Sequence, residues 1–254
     1  MSTVNLSLPT IRKKIEQAKN GSNIIKDNAQ RFNKDISALT STMFRNVSDA
    51  VRSNKVFTPV LDQYFVEIED CLAFLIDESM KASCEREDED YDRYMYFLPL
   101  VVPECSVSHY KDTLNRYRSI LAQEIDYAVE HGYTDDLAIF LANPQGYVSR
   151  KKDGLIGLKT GIEGVSGGVS YSLSDNLKKL GISVAALPYV NTEMYLWKTK
   201  SEIVGYFGVR NSNYPCPLCD EYANIFIPIS QGMIYPLHNR CVCGVIPITQ
   251  SELI

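Results

Sequence analysis

The sequence predicts an α+β protein: a largely helical region over residues 1–150, then a small α+β module whose β-hairpin is held by a bound metal ion. Three observations predict this class. Apolar residues recur at helical spacing before residue 150, a glycine-rich stretch follows Lys151, and cysteine and histidine concentrate near the C-terminus. The predicted domains are therefore a helical region at 1–150, a glycine-rich connector at 151–170 and the module at 171–254.

Helical periodicity accounts for most of the N-terminal region. Thr10–Ala18 and Ile24–Arg52 have helix-forming composition, and the glycine-containing break between them predicts two helices. Val60–Ala82 begins beside a proline and repeats apolar residues with the helical period. In Tyr110–Val129 the apolar residues fall at three- and four-residue steps, and Leu137–Ala142 forms a short successor. Each helix is expected to pack its apolar face against a core.

Two segments between these helices predict irregular structure. The acidic run Glu85–Asp92 is interpreted as a solvated loop, because it lacks the spaced oxygen ligands and the glycine turn of a calcium-binding loop. Met95–Val102 is interpreted as a buried extended segment. Pro99 limits that segment to a sheet edge or to irregular structure, because proline cannot donate a ladder hydrogen bond.

The module is predicted to open with two helices. Ser172 is a candidate cap for a helix that ends near Gly181. Asn191 is a candidate cap for a second helix over Thr192–Phe207. Trp197, the only tryptophan, lies on the apolar face of that second helix and is assigned to the core.

Composition disfavours several classes of function. The net charge is −5, with 26 basic and 31 acidic residues, so the charge does not indicate contact with DNA, although it leaves room for a local basic patch. No apolar run approaches the ~20 residues of a membrane span. The N-terminus lacks the basic start and apolar core of a secretory signal, so we expect the mature chain to begin near Met1. Seven cysteines without such a signal indicate a reducing compartment, where grouped thiols are usually metal ligands.

The C-terminal cysteines and histidine have the spacing of a zinc site. Cys216-x-x-Cys219 and His238-x-x-Cys241 are two pairs separated by eighteen residues, and two such pairs can close a tetrahedron around one Zn²⁺. Cys243 is a surplus thiol, and three roles stay open for it: a ligand in place of His238, a redox partner, or a buried thiol. Two alternatives stay open: reduced cysteines under a hairpin without metal, and a disulfide such as Cys216 with Cys241. Four protein ligands leave no position for water, so the site is predicted to be structural.

No complete catalytic constellation is found, and the chain is predicted not to be an enzyme. The Cys-x-x-Cys pair matches half of the zinc deaminase signature, but neither His109 nor His131 opens the required His-x-Glu. No His-Glu-x-x-His and no Gly-x-Ser-x-Gly occurs. Glu163 and Glu193 are the carboxylates considered for catalysis, and the sequence indicates no partner for either.

Four segments follow one another in a particular order in the last part of the chain: Asn191-Thr192-Glu193, Tyr214-Pro-Cys216-Pro-Leu-Cys219-Asp220, Pro236-Leu-His238-Asn-Arg-Cys241-Val-Cys243 and Ile246-Pro-Ile248. In this order, roughly the last hundred residues resemble the phage Mu F-type minor head protein family, also called phage head morphogenesis proteins. The resemblance covers roughly residues 165–250. It departs from the family where Asn191 replaces an arginine and Asn239 replaces a proline.

The resemblance implies a minor virion protein, made in the cytoplasm of the infected bacterial cell and present near the portal of a tailed phage head. Its partners would be portal or capsid proteins, and its role would be head assembly or genome packaging and delivery. Two other classes stay open: a diverged phage-encoded enzyme or toxin, either a transferase or a zinc hydrolase, and a zinc-binding adaptor of the host cell.

Overall fold

The structure, a computed structural model, describes residues 8–130, 132, 134–135, 137–142, 173–211, 216–223, 225–238 and 241–253. These residues are mostly helical and include a three-stranded antiparallel sheet near the C-terminus, which confirms the predicted α+β class. The connector predicted at 151–170 lies outside the described residues, so the domain boundaries stay a prediction.

The regular elements of the described residues are α-helices, short 3₁₀ turns and β-strands. The α-helices are α1 (Pro9–Arg52), α2 (Thr58–Arg86), α3 (Leu98–Val101), α4 (Lys111–Glu130), α5 (Leu137–Ala142), α6 (Leu173–Lys198) and α7 (Pro217–Tyr222). The strands are β1 (Ile203–Val209), β2 (Phe226–Pro228) and β3 (Gly244–Thr249). The 3₁₀ turns are Tyr91–Arg93, Pro103–Cys105, Val107–Tyr110, Ile229–Gln231 and Gln250–Glu252. The predictions of α2, α4 and α5 are confirmed to within a few residues.

The predicted break in the first helix is wrong, because α1 runs without interruption through Gly21. Gly21 does not end the helix but allows Tyr189 to pack closely against it. A Cβ at Gly21 would meet the hydroxyl of Tyr189. Ser22 donates its hydroxyl to the carbonyl oxygen of Ala18 at 3.0 Å and so continues the helical pattern. Close approach to a large aromatic residue explains why glycine occupies this helical position.

The two helices predicted for the module are in fact one helix and one strand. α6 continues through Gly181 and Pro188, and Asn191 lies inside it, donating its amide to the carbonyl of Leu187 at 3.0 Å. The residues after Lys198 turn into β1, whose side chains are almost all buried. A central strand buried on both faces reads as a continuous apolar run, which sequence periodicity does not separate from a helix. Trp197 is fully buried, as predicted.

The prediction that Met95–Val102 is buried and extended is wrong on both points. The segment forms a turn followed by α3, and Tyr96 and Leu100 are exposed. Pro99 lies in the first turn of α3, where its missing N–H would have had no partner in any case. The acidic run is partly helical, since α2 extends to Arg86 and a 3₁₀ turn begins at Tyr91. Helix formation therefore reaches further than composition indicated at both places.

The chain divides into two compact units, each assembled from separate segments. The first unit comprises Met1–Arg31, Leu72–His109 and Lys179–Ile254. The second comprises Phe32–Cys71 and Tyr110–Lys178. The sheet and the C-terminal cysteines therefore share a unit with the beginning of α1 and the end of α2.

The sheet of the first unit has β1 at its centre, between β2 and β3. Both outer strands are antiparallel to β1, with Phe207 opposite Phe226 on one side and Ile246 on the other. The predicted hairpin is not present among the described residues, because β2 and β3 each pair with β1 and not with each other. The core of this unit combines α1 with the sheet through Ile11, Ala18, Phe207, Val209, Ile246 and Ile248.

Gly208 is the position in β1 where any side chain is expected to be costly. A Cβ there would overlap the hydroxyl and Cζ of Tyr235, a buried ring that packs edge-to-face on Tyr206. We expect Gly208→Ala to lower the free energy of unfolding by about 1–3 kcal/mol, because the ring must leave its packed position. Chemical denaturation measures this change, and Ser201→Ala, at an exposed site just before β1, is the matched control. Equal stability of the two variants would contradict the packing described.

The C-terminal turn is fastened to α1 by a buried ion pair. Glu252 lies 2.8 Å from the ammonium nitrogen of Lys14 and accepts the backbone N–H of Thr249 at 2.9 Å, which closes a capping box. Burial alone would raise the pKa of Glu252, but the hydrogen bonds from Lys14 and Thr249 outweigh it and hold the pKa below 4.5.

This contact predicts a stability change with pH. Because the folded-state pKa of Glu252 lies below its unfolded value, its contribution is present above pH 4.5 and is lost as the pH falls through the folded pKa. We expect Lys14→Met to be less stable than the parent protein at pH 7, and the difference to shrink towards pH 3. Thermal melting across this range tests it, with Lys19→Met as the control, since Lys19 pairs with Glu16 at the exposed surface.

Candidate metal centre

Local structure presents the cysteines and the histidine from three places in the chain. Cys216 immediately precedes α7, with Pro217 at the first helical position, and Cys219 lies one turn later in that helix. His238 is on the segment between β2 and β3. Cys241 and Cys243 lead directly into β3, which begins at Gly244. A helix start and a strand start therefore hold four of the five donors.

The five side chains form two overlapping groups that share Cys219. Cys216, Cys219 and His238 form the first group, and Cys219, Cys241 and Cys243 form the second; within each group all donor atoms lie within 4.8 Å of one another. The Nε2 atom of His238 is 3.1 Å from Cys216 Sγ and 3.2 Å from Cys219 Sγ. The sulfurs of Cys219 and Cys241 are 3.7 Å apart. All five predicted donors, including the surplus Cys243, therefore lie near Cys219, but Cys241 shares neither a group with Cys216 nor one with His238.

The pKa values of two thiols in the cluster are lowered by their surroundings. A hydrogen bond from the backbone N–H of Cys219 lowers the pKa of Cys216. A hydrogen bond with the Cys243 side chain lowers the pKa of Cys241 to about 5 and raises that of Cys243. Burial raises the pKa of Cys219 to about 12. Each group therefore contains one cysteine whose pKa is lowered, and a lowered pKa favours the thiolate form that binds metal ions.

Aromatic residues hold the segment that carries His238. Tyr206 in β1 donates its hydroxyl to the carbonyl of Gly232 at 2.7 Å and accepts the N–H of Ile234 at 3.0 Å. Tyr235 donates to the carbonyl of Tyr222, at the end of α7, at 3.1 Å. These bonds connect the sheet, the His238 segment and α7. They hold the segment that carries His238 beside the helix that carries Cys219.

The donor set fits a metal ion. Cysteine and histidine are ligands that soft and borderline cations prefer. With Zn–S near 2.3 Å and Zn–N near 2.0 Å, a tetrahedral site places two sulfurs about 3.8 Å apart and a sulfur and a nitrogen about 3.5 Å apart. The 3.7 Å between Cys219 and Cys241 matches, and the distances to His238 are a few tenths of an ångström shorter. All seven cysteines are free thiols, so the alternative of a Cys216–Cys241 disulfide is not present.

Glu193 is one of the two carboxylates considered for catalysis. It is fully buried in α6 and pairs with Arg86 at the end of α2, and Arg86 also donates to the carbonyl of Val245 in β3 at 2.6 Å. Arg86 is 107 residues away in the chain, and no sequence pattern signals the pairing. Glu163 lies outside the described residues.

No protein-family model matches the chain, and no curated protein and no solved structure is significantly similar to it. No helix of the described residues is long and apolar enough to cross a membrane. The fold and the cluster define an α+β protein with a Cys/His cluster that could hold a metal ion near its C-terminus.

Proposed function

We propose that this protein is a minor virion protein of a tailed phage, associated with the portal or the head, that acts through protein–protein contacts and is stabilised by one structural Zn²⁺. The observation that carries the proposal is the cluster itself. The cysteines and the histidine that carry the resemblance to the Mu F-type family, although up to 27 residues apart in sequence, lie together in one cluster.

Zinc is the proposed ion because the donor set is sulfur-rich and the spacing suits a tetrahedron. Cys216, Cys219, His238 and Cys241 are the proposed ligands, with Cys243 as the alternative to His238. A site filled by four protein donors has no open position for a reacting water. The proposed role of the ion is therefore to hold α7 and the His238 segment against the sheet.

The fold supports an assembly role over catalysis. Glu193 is fully buried and ion-paired, so it is out of reach of a substrate. The net charge of −5 does not favour DNA as the main partner, which leaves portal or capsid proteins as the proposed contacts. The burial of Glu193 places the enzyme alternative behind the virion proposal, and particle composition separates the host-adaptor alternative from it.

Particle composition tests the proposal. Heads purified from cells infected with the phage that encodes this chain are expected to contain it at a few copies per particle, and the chain is expected to co-purify with the co-expressed portal protein. A Cys219→Ser variant is expected to be lost from both. Heads that form normally and lack the protein, or recovery with host proteins alone, would contradict a virion role.

A further inference from the structure

The turns between α2 and α3 expose an unusual number of large apolar side chains. Of the twelve large apolar side chains that are exposed among the described residues, four lie within six consecutive positions. Tyr96 is 78% and Leu100 81% exposed, and Phe97 and Val101 are 43% and 46% exposed. Residues three and four apart on a helical turn are surface neighbours, so these four form one continuous patch.

The patch stands on a fixed base. Leu98 and Val102, which alternate with the exposed residues, are buried in the first unit. Local backbone hydrogen bonds hold the turns together. The Leu98 N–H donates to the carbonyl of Tyr94 at 2.9 Å, and the Leu100 N–H donates to the carbonyl of Phe97 at 3.0 Å. The Phe97 ring packs edge-to-face on Tyr195 in α6, with centroids 5.8 Å apart. A surface held in this way loses little entropy when a partner binds.

An acidic border adjoins the patch. Residues 85–104 include seven acidic and two basic residues, a net charge of −5. Glu87 and Glu89 are partly neutralised by Lys200, at 3.2 Å and 3.9 Å. The carboxylates of Glu85, Asp88, Asp90 and Asp92 are exposed, and within the described residues none of them forms an ion pair.

The acidic border and the apolar patch belong to one continuous structure. Tyr94 donates its hydroxyl to Glu89 at 3.2 Å, and the backbone N–H of Met95 bonds to the carbonyl of Tyr91 at 3.0 Å. Asp92 precedes Tyr96 by four residues, and hydrogen-bonded turns connect the two positions. We name these eight exposed residues the apolar–acidic surface: Glu85, Asp88, Asp90, Asp92, Tyr96, Phe97, Leu100 and Val101.

We propose that the apolar–acidic surface docks a segment of a partner protein that presents Lys or Arg beside large apolar side chains. The apolar patch supplies the area removed from water, and the acidic border selects the charge of the partner. The same border repels nucleic acid and anionic lipid, which carry negative charge. This inference rests on the residues of the surface and does not require the virion assignment.

The test uses the full chain and two synthetic amphipathic helical peptides, one of leucine and lysine and one with glutamate at every lysine position. We expect the lysine peptide to bind about tenfold more tightly than the glutamate peptide, with an affinity that falls as salt is added. Tyr96→Ser/Leu100→Ser is expected to weaken binding about tenfold. Glu85→Gln/Asp92→Asn is expected to weaken it by a smaller factor and to flatten the salt dependence.

Controls separate docking from general stickiness. Val56→Ser changes another strongly exposed apolar residue, 73% exposed, and is expected to leave binding unchanged. Circular dichroism and thermal melting check that all variants stay folded, which is expected for exposed positions. Equal binding of the two peptides, or unchanged binding by Tyr96→Ser/Leu100→Ser, would overturn the proposal. Two further results would overturn the proposal. The first is self-association of the chain that Tyr96→Ser/Leu100→Ser abolishes, and the second is binding to phosphatidylglycerol vesicles that the same variant abolishes.

Discussion

Replacing Cys219 with serine is expected to remove the bound metal and to unfold the C-terminal part of the first unit. Cys219 is buried and is the one residue that both halves of the cluster share. A serine hydroxyl is a poor ligand for zinc. Without the Cys219 sulfur the remaining donors fall into two separate pairs, Cys216 with His238 and Cys241 with Cys243. Structural zinc sites contribute about 10–16 kcal/mol of apparent binding free energy, comparable to the whole stability of a domain.

The measurement is metal content together with thermal melting. The purified parent protein is expected to contain about one zinc per chain. Cys219→Ser is expected to contain almost none and to lose protection from hydrogen exchange in α7 and β3. Chelation of the parent protein with EDTA is expected to give the same pattern, since both treatments remove the ion.

A matched control separates the cluster from the other thiols. Cys71 is outside the cluster and lies in the second compact unit, so Cys71→Ser is expected to retain zinc and stability. Cys243→Ser and His238→Ala then identify the fourth ligand, because the variant that keeps stoichiometric zinc lacks the dispensable donor. A folded parent protein without bound metal would contradict the proposed structural zinc site. It would also remove the support that this site gives to the proposed relation to the Mu F-type family.

Above about pH 8, where Glu193 is ionised, replacing Arg86 with methionine is expected to destabilise the protein by about 3–5 kcal/mol, the usual cost of leaving one member of a buried ion pair without its partner. Arg86 pairs with Glu193, whose side chain is completely buried, and donates to the carbonyl of Val245. The variant therefore removes the counter-charge of a buried carboxylate and a tie between α2 and β3. Chemical denaturation measures the loss.

The same pair predicts an effect of pH on stability. Burial raises the pKa of Glu193 from 4.5 to about 8, although the guanidinium of Arg86 opposes the shift. Between these values the folded state binds more protons than the unfolded state, so stability falls as the pH rises through that window. In Arg86→Met the opposing charge is absent, so the folded-state pKa of Glu193 rises further, and we expect the fall in stability to continue to higher pH.

Glu193→Gln provides the comparison that isolates the carboxylate. Glutamine fills the same space without titrating, so the dependence of stability on pH between 4.5 and about 8 is expected to flatten. Arg86→Met/Glu193→Gln is expected to be more stable than Arg86→Met alone, because no charge is then buried without a partner. Additive losses in the double variant would show that the two residues do not interact as described.

Local signals were enough to predict much of the architecture. The periodicity of Tyr110–Val129 and Leu137–Ala142 anticipated α4 and α5 because an amphipathic helix repeats its apolar residues every three to four positions wherever it packs. The metal-ligand spacing predicts that Cys216 and Cys219 lie together, as they do, because both sit on one turn of the backbone. It does not predict that His238 joins Cys216 and Cys219 while Cys241 joins Cys243.

Long-range packing decided the rest. Neither Gly21 nor Pro188 interrupts its helix. At Gly21 the ring of Tyr189 occupies the space that a side chain would fill. β1 was mistaken for a helix because a strand buried on both faces carries no alternation.

By itself the sequence determined the α+β class and the identity of the candidate ligands, because periodicity and ligand spacing are properties of neighbouring residues. Only the tertiary structure decided that β2 and β3 flank β1 instead of pairing with each other, and that Arg86 neutralises Glu193. Both depend on contacts between residues far apart in the chain. Such contacts are selected by the shape and charge of the whole core, which no local pattern records.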